Sequence, residues 1–380
     1  ISPPTDKTAI TLAMGEPQHA TPEFIKTALV NHLDGLSNYP TTKGLPALRK
    51  VIAKWLVKRF HLDASAINSE TQVLPVNGTR EALFAFAQCV LDARGQTQPL
   101  VVMPNPFYQI YEGAALLAGA APYFLNTTAA TGYLPDFDAV PTEIWQRCQL
   151  LYICSPGNPS GEIIDHATLV NLIKLSERYD FIIASDECYS ELYADESNPP
   201  QGLLQAAYAI GHTDFKRCVV FHSLSKRSNV PGLRSGFVAG DAEILQQLLL
   251  YRTYHGCAMP IPTQHASILA WQDESHVQEN RQHYREKYLA FINILKSVCS
   301  ITQPPASFYI WLKTPINDVD FAQQLFAQEH ITVLPGSYLS RDFAGINPGQ
   351  NHVRIALVAP LEDCIIAAER IKNFLHTLTT

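Results

Sequence analysis

Short, continuous runs of apolar residues recur through the first part of this chain, and a helical pattern separates each run from the next. The clearest runs lie at residues 100–103, 150–154, 181–185 and 218–222, and the clearest helical pattern between them lies at 166–179. Because these runs do not alternate between polar and apolar residues, they indicate strands that are buried on both faces. The sequence therefore predicts an α/β fold, in which helices cover both sides of a mostly parallel sheet.

The second part of the chain has a different organisation. A long charged stretch with helical spacing covers residues 273–296, and the pattern after it indicates two strands and two helices, at 307–314, 353–358, 321–329 and 361–378. A length of 380 residues also suits two domains. We predict a large domain of residues 21–287 and a smaller α+β domain formed by residues 1–20 and 288–380.

Charge and hydropathy exclude several classes of partner. The chain has 28 Lys and Arg against 35 Asp and Glu, and its net charge of −7 argues against binding to nucleic acid or to an anionic membrane. The longest apolar stretch, residues 113–125, is too short to cross a bilayer and is interrupted by Pro122. We therefore predict neither a nucleic-acid partner nor a membrane partner.

Eight cysteines are scattered from Cys89 to Cys364 without a CxxC pair. This spacing favours reduced thiols of a cytoplasmic protein over a disulfide framework or a zinc site, and we predict no metal. The chain begins at Ile1 without a recognisable signal peptide, and we expect the true N-terminus to precede it.

A lysine motif follows the predicted strand at 218–222. It reads Ser223-Leu224-Ser225-Lys226, and Arg234 lies eight residues further on. Partial desolvation beside a buried strand lowers the pKa of a lysine and frees its amine as a nucleophile. Serine hydroxyls and an arginine suit a phosphate group. The alternative is a solvated loop lysine near an unrelated arginine, which is commoner for any single lysine.

Two polar motifs follow neighbouring strands. Asp186 and Tyr189 come directly after the strand at 181–185, where the carboxylate could hold a protonated ring nitrogen and the tyrosine a ring hydroxyl. The alternative is an aspartate that caps a helix beside a packed tyrosine. Asn158 lies in the turn 155–161 after another strand, and that turn could equally be only a turn.

A fourth motif, Asn77-Gly78-Thr79-Arg80, opens an apolar helix. Backbone amides and the helix dipole make such a turn an anion site, although most turns of this kind bind nothing. The order of the four motifs is more informative than any one of them, because all are predicted at the ends of successive strands. Open α/β sheets bind their ligands at that edge.

Together the motifs resemble fold-type I pyridoxal-phosphate aminotransferases of the aspartate-aminotransferase class, and the resemblance covers nearly the whole chain. Its most specific parts are Asn-Pro-Ser-Gly at 158–161, the Ser-x-x-Lys motif that ends at Lys226, and Arg234. The resemblance implies pyridoxal 5'-phosphate as the cofactor, small-molecule substrates and a homodimer.

The resemblance also implies a role for each motif. Lys226 would bind the cofactor covalently and carry the α-proton, and Asp186 would pair with the pyridine nitrogen. Tyr189 and Asn158 would contact the ring hydroxyl. The phosphate would be held by Gly78, Thr79, Arg80, Ser223 and Arg234. A small or neutral residue is more usual at the position of Arg80.

Three more residues match the same family. Tyr39 matches the tyrosine that reaches the phosphate of the neighbouring subunit, and Tyr108 matches the aromatic residue that stacks on the cofactor ring. Arg354 matches the arginine that binds the α-carboxylate of the substrate, where Asn158 would assist it.

The segments 12–22, 36–40 and 254–260 look closest to bacterial N-succinyldiaminopimelate aminotransferases of lysine and diaminopimelate biosynthesis. That resemblance implies glutamate as the amino donor and N-succinyl-2-amino-6-oxopimelate as the acceptor. Such a polyanionic acceptor requires further cations, for which Arg252 and Lys43 are candidates, although a solvated surface role is favoured for each.

Other functions remain open at the level of sequence. Aspartate, alanine and aromatic aminotransferases, and a carbon–sulfur lyase of the same fold, would keep every residue named above. A non-catalytic ligand sensor is a more distant alternative, and the DNA-binding helix-turn-helix expected of such a regulator is not found in these residues.

Overall fold

The computed structural model of the protein describes residues 2–379. The strands are β1 (Ile10–Thr11), β2 (Val73–Val76), β3 (Leu100–Asn105), β4 (Ala121–Asn126), β5 (Cys148–Cys154), β6 (Ile182–Asp186), β7 (Cys218–Ser223), β8 (Gly236–Gly240), β9 (Tyr309–Lys313), β10 (Ile331–Thr332), β11 (Leu334–Pro335) and β12 (His352–Ala356). The α-helices are α1 (Glu23–Asn31), α2 (Pro46–Arg59), α3 (Thr79–Val90), α4 (Gln109–Leu117), α5 (Thr142–Trp145), α6 (His166–Tyr179), α7 (Leu203–Ala209), α8 (Leu224–Arg227), α9 (Ala242–His255), α10 (Ile261–Gln272), α11 (Ser275–Leu295), α12 (Asp318–Glu329) and α13 (Leu361–Thr379).

The central sheet has the strand order β2-β8-β7-β6-β5-β3-β4. The strands from β7 to β4 are parallel, and β8 runs antiparallel to both of its neighbours. The prediction of an α/β fold with a mostly parallel sheet is therefore confirmed. Every helix within residues 2–379 is too short or too polar to span a lipid bilayer.

Alternate residues of the buried strands pack on opposite faces of this sheet. Leu151 and Ile153 of β5 join a core cluster with Leu172 of α6, whereas Leu150 joins a second cluster with Phe86 of α3. Helices on both sides shield the sheet from water, which explains why its strands are apolar without alternation.

The C-terminal part forms a second sheet, in which β12 lies between β11 and β9 and pairs antiparallel with both. The N-terminal strand β1 pairs with β10, and Ile10 and Leu12 belong to the same core cluster as Phe291 and Phe374. The predicted boundary between residues 287 and 288 falls inside α11. The division into 21–287 and 1–20 with 288–380 stays a prediction.

Three strands of the central sheet were not recognised from the sequence. The strand β8 contains Gly236 and Gly240, and the edge strand β4 contains Pro122, so neither has the composition of a typical strand. The third is β2, a four-residue strand that contains Pro75. The helix α4 ends at Leu117, and β4 begins four residues later at Ala121.

Candidate active site

Three parallel neighbouring strands bring the predicted motifs to one edge of the central sheet. The strands β5, β6 and β7 end at Cys154, Asp186 and Ser223, and Cys154 is the direct register partner of Asp186. The carboxyl ends of parallel strands are where open α/β sheets place ligands. The turn that contains Asn158 and the helix that contains Lys226 both start at this edge.

Lys226 is a half-buried residue of the four-residue helix α8, so the alternative of a solvated loop lysine is wrong. Its amine donates a hydrogen bond to the carbonyl oxygen of Gly15 and lies 5.5 Å from the centre of the Phe308 ring. Burial lowers the pKa of Lys226 to about 8; the positive charge of Arg354 acts in the same direction, whereas Glu16 raises it. The neutral, nucleophilic form of the amine is therefore far more populated near pH 7 than in an ordinary lysine.

Asp186 is a buried carboxylate with only uncharged hydrogen-bond donors. The Tyr111 hydroxyl donates to its Oδ2 at 2.7 Å, and the backbone amide of Cys188 donates to its Oδ1 at 3.3 Å. Burial raises the pKa of Asp186, although both of these hydrogen bonds act against the increase. The helix-cap alternative is wrong, because Asp186 ends β6 and a turn follows it.

The turn before α3 lies against Arg234. Gly78 has a φ of +84°, which favours glycine, and a Cβ atom at this position would collide with the Arg234 guanidinium. Arg234 itself adopts the left-handed conformation, with a φ of 55°. Thr79 lies in the first turn of α3. The Ser223 hydroxyl accepts a hydrogen bond from the backbone amide of Ser225 at 3.1 Å. Val76 and Ser223 are both register partners of Gly236, so the turn at Gly78 and the Ser223 hydroxyl lie at the same edge of the central sheet.

Arg354 of β12 faces the same edge from the second sheet. Its Nη1 donates to Oδ1 of Asn158 at 3.0 Å, and its Nη2 donates to the carbonyl oxygen of Ala13 at 2.8 Å. Its Nε is buried and has no hydrogen-bond partner among residues 2–379. An unpaired, buried Nε–H group is costly, and a carboxylate bound there would satisfy it.

The Tyr189 hydroxyl lies 2.9 Å from the hydroxyl of Tyr309, a residue that the sequence analysis missed. The Tyr309 ring also lies 4.4 Å from the guanidinium carbon of Arg354. A Cβ atom at Gly15 would collide with the Tyr309 hydroxyl, so this glycine lets the N-terminal segment approach the site. Burial holds the pKa of Tyr189 well above its ordinary value, and Tyr189 is therefore a neutral hydrogen-bonding group.

Tyr108 and Arg80 extend the site on the side of Tyr111, the hydrogen-bond donor to Asp186. Arg80 Nε donates to the Tyr108 hydroxyl at 2.6 Å, and the Tyr108 ring meets the Tyr111 ring edge-on at 5.9 Å. Tyr111 was not predicted. Its position three residues after Tyr108, the residue that caps α4, is the signal that could have revealed it, because residues at about this spacing lie on the same side of a helix.

Three residues named from the sequence lie elsewhere. Tyr39 is fully exposed in this single chain, and Lys43 forms a surface ion pair with Glu70 at 3.3 Å. Both interpretations of Arg252 are wrong: it is fully buried, and its Nη1 donates to both carboxylate oxygens of Glu81 at 2.7 Å. A neutralised, buried guanidinium is not available to a substrate.

The residues present fit pyridoxal phosphate. Asp186 is a buried carboxylate that forms no ion pair within residues 2–379, and it would pair with a protonated ring nitrogen. The amides at Gly78 and Thr79, together with Arg234, would hold the phosphate, and the Lys226 amine would bind the aldehyde carbon. The ring nitrogen, the phosphate and the aldehyde of the cofactor would each thus meet a protein group of complementary charge or reactivity.

Comparisons with known proteins agree with this geometry. A family model described as aminotransferase class I and II matches residues 7–371. The crystal structure of an aminotransferase from Neisseria meningitidis Z2491 is 50% identical, has a TM-score of 0.93 and matches 98% of this chain and 94% of that chain. The aminotransferase AspB from Helicobacter pylori 26695 is 35% identical, with a TM-score of 0.89 and coverage of 98% and 95%. An LL-diaminopimelate aminotransferase from Aquifex aeolicus (strain VF5) is 30% identical over 370 residues, which cover 96% of this chain and 91% of the relative.

Proposed function

Since this chain belongs to the class I and II aminotransferases, which depend on pyridoxal phosphate, we propose that it transfers the amino group of glutamate to N-succinyl-2-amino-6-oxopimelate. It would then act as a succinyldiaminopimelate transaminase. The observation that carries the proposal is the common anchoring of Lys226 and Arg354, whose side chains donate to the carbonyl oxygens of Gly15 and Ala13. A nucleophilic amine and a carboxylate-binding guanidinium that are held by one segment match the adjacent amino and carboxylate groups of an α-amino acid.

Bound pyridoxal phosphate supplies an aldehyde that takes up the amino group and a ring that accepts the electron pair of the α-carbon. Arg354 would bind the α-carboxylate through its free Nε and one Nη, and so orient the Cα–H bond toward Lys226. The neutral Nζ of Lys226 would take the α-proton and return it one step later. Asp186 would keep the ring nitrogen protonated, which strengthens its pull on the electron pair.

The proposed acceptor is supported by the N-terminal segment. Residues 12–22 look closest to succinyldiaminopimelate transaminases, and this segment supplies both carbonyl oxygens that anchor the site. Several relatives are named LL-diaminopimelate aminotransferase, at 28–30% identity. Their named substrate shares the seven-carbon diacid skeleton of the proposed acceptor.

Those names also favour a second candidate function, the transamination of LL-diaminopimelate itself. The two substrates differ at the distal end, where one has a free ammonium group and the other a succinyl amide with an additional carboxylate. The charged residues at the mouth of the site would decide between them.

A half-reaction screen tests the proposal. The yellow holoenzyme is mixed with single amino donors, and the loss of its visible absorption band is followed by stopped flow. We expect glutamate and N-succinyl-LL-2,6-diaminopimelate to react with kcat/KM values at least tenfold above LL-diaminopimelate, aspartate, alanine and phenylalanine. The reverse order for the two diaminopimelates would favour the second candidate, and no reaction with any donor would favour a ligand sensor.

We also propose that the active unit is a homodimer. Val30, Leu33 and Leu36 expose their apolar side chains within ten residues of the fully exposed Tyr39. Exposed apolar side chains concentrated on one segment are typical of a protein interface. In the dimer, Tyr39 would reach the phosphate site of the other subunit.

A further inference from the structure

Asn280 is a buried residue of α11, and its side-chain amide lies against the end of the helix that carries Lys226. Its Nδ2 donates to the backbone carbonyl oxygen of Lys226 at 3.1 Å and to that of Arg227 at 3.4 Å. The last carbonyl groups of an α-helix have no amide partner within the helix. Asn280 therefore supplies the hydrogen bonds that a further turn of α8 would have provided.

The backbone of α8 is otherwise weakly held at this end. The amide of Ser228 donates to the carbonyl oxygen of Leu224 at 2.9 Å, and the Ser223 hydroxyl caps the other end of the helix. A single helical turn is not stable without tertiary contacts. The position of the Lys226 backbone therefore depends on the contact with Asn280.

The oxygen of the Asn280 amide is occupied as well. Nδ2 of Asn229 donates to Oδ1 at 2.9 Å, and Nδ1 of His19 lies 2.9 Å from the same atom. Because the amide oxygen can only accept, Nδ1 of His19 carries the hydrogen. Burial, followed by the charge of Lys287, lowers the pKa of His19 to about 4. The imidazole is therefore neutral near pH 7 and acts as a hydrogen-bond donor to Asn280.

His19 connects this amide to the N-terminal segment of the site. It lies four residues after Gly15, whose carbonyl oxygen accepts the hydrogen bond of the Lys226 amine. Its ring packs 4.8 Å from the ring of Tyr284 on α11. Lys226 is thus connected to one segment at both ends, at its amine through Gly15 and at its backbone carbonyl through Asn280 and His19.

We infer that Asn280 and His19 are positioning residues for Lys226. They hold the backbone from which the amine reaches the cofactor aldehyde and the α-proton of the substrate. A lysine has a long, flexible side chain, so its amine has a defined position only if the backbone and the amine are both held. The inference goes beyond the proposed function, because it applies to any amino acid that the enzyme uses.

Two forms of the cofactor separate the position of the lysine from the integrity of the pocket. Pyridoxal phosphate and pyridoxamine phosphate share the ring and the phosphate, but only the aldehyde of the first reacts with the Lys226 amine, with release of water. For each variant we measure the rate at which pyridoxal phosphate attaches to the apoenzyme, by stopped flow, and the dissociation constant for pyridoxamine phosphate. The variants are Asn280→Ala, His19→Leu and His19→Asn. The control is Ser176→Ala, which removes a buried hydroxyl that donates to the carbonyl oxygen of Ile173 within α6.

Attachment is expected to slow by roughly 10- to 100-fold in Asn280→Ala and His19→Leu, because a displacement of about 1 Å has an effect of that size. The affinity for pyridoxamine phosphate should remain that of the wild type, since its phosphate is held at Gly78 and Arg234. His19→Asn should recover most of the rate, because its Nδ2 can take the place of the imidazole Nδ1. Ser176→Ala should change neither quantity.

An unchanged rate of attachment in Asn280→Ala would overturn the inference. So would an equal loss of affinity for pyridoxamine phosphate, since Asn280 would then support the whole pocket and not the lysine. If circular dichroism shows that Asn280→Ala does not fold, the two His19 variants decide, and equal rates for His19→Leu and His19→Asn would refute the role of the hydrogen bond.

The holoenzyme provides a second measurement. Exchange of the α-proton of glutamate for deuterium should slow by a similar factor in Asn280→Ala, because the same Lys226 amine serves both steps. Normal exchange together with slow attachment would contradict the inference. The attachment rate requires no substrate, so the inference and the proposed acceptor can fail separately.

Discussion

Lys226 lies in α8 at the edge of the central sheet and Arg354 in β12 of the second sheet, yet both donate hydrogen bonds to backbone carbonyl oxygens of the same short segment, at Gly15 and Ala13. This segment follows β1, which pairs with β10 of the C-terminal part. The Lys226 amine and the Arg354 guanidinium are therefore connected through a segment that belongs to neither the central sheet nor the second sheet. A shift of that segment would move both groups together.

Replacement of the lysine tests the reactive amine. Lys226→Ala is expected to abolish turnover, with a loss of several powers of ten, because it removes both the nucleophile and the proton carrier. Far-UV circular dichroism should remain that of the wild type. Borohydride reduction of the wild-type holoenzyme, followed by peptide mapping, should place the pyridoxyl label on Lys226. A label on another lysine would contradict the assignment.

The lowered pKa of Lys226 predicts how cofactor attachment depends on pH. Only the neutral amine reacts, so the rate of attachment to the apoenzyme should rise with pH and level off above about 8, not above about 10.4 as for an ordinary lysine. Arg354→Gln removes a positive charge that lowers this pKa, and the midpoint should move up. Glu16→Gln removes a negative charge that raises it, and the midpoint should move down. A shift of both variants in the same direction would contradict the electrostatic account.

Asp186 is expected to matter more for proton transfer than for cofactor binding. Asp186→Ala should slow the exchange of the α-proton for deuterium far more than it raises the dissociation constant for pyridoxal phosphate, because the phosphate is anchored elsewhere. Asp186→Glu should keep partial activity, since the charge is retained and only the geometry changes. Equal loss of activity in both variants, with loss of the cofactor, would indicate a structural role for the carboxylate.

A shared active site makes subunit complementation a test of the homodimer. Lys226→Ala and Tyr39→Phe subunits are mixed under dissociating conditions and allowed to associate again. Each hybrid should contain one site with an intact Lys226 from one chain and an intact Tyr39 from the other, and this site should regain near-normal cofactor affinity. A fully active monomer in sedimentation, or hybrids without this recovery, would refute the shared site.

A buried ion pair away from the site predicts an effect on stability alone. Glu191 is buried, 2.7 Å from Arg59 and 3.8 Å from Arg281. Glu191→Gln should lower the free energy of unfolding by up to about 3–5 kcal/mol, because it leaves the largely buried guanidinium of Arg59 without its counterion. Arg281 keeps its ion pair with Glu196. The control is Glu23→Gln, which breaks the exposed pair with Lys26 and should cost less than about 1 kcal/mol. Urea unfolding of the two variants measures the difference.

The same residue predicts a dependence on pH. Burial raises the pKa of Glu191, but the positive charges led by Arg59 outweigh it and hold the pKa below the ordinary value of 4.5. Its contribution to stability is present above about pH 4.5 and is lost as the pH falls through the lowered value. The urea midpoint of the wild type should therefore fall more steeply on acidification below pH 4.5 than that of Glu191→Gln.

The sequence by itself determined the class of fold and the identity of the reactive groups. Unbroken apolar runs indicate strands that are buried on both faces. Lys226, Asp186 and Asn158 come at or soon after the ends of such strands. The local pattern was therefore sufficient to place these three residues at one edge of the central sheet. The short strands that contain glycine or proline were missed, because their burial comes from neighbouring strands and not from their own composition.

Only the tertiary structure decided which distant residues meet. Arg252 reads as a surface cation, but packing of α9 against α3 buries it against Glu81. Tyr309 and Tyr111 enter the site through contacts with Tyr189 and Asp186, at separations of 120 and 75 residues along the chain. Such contacts depend on how sheets and helices pack in space, and local sequence pattern carries no information about a partner that lies a hundred residues away.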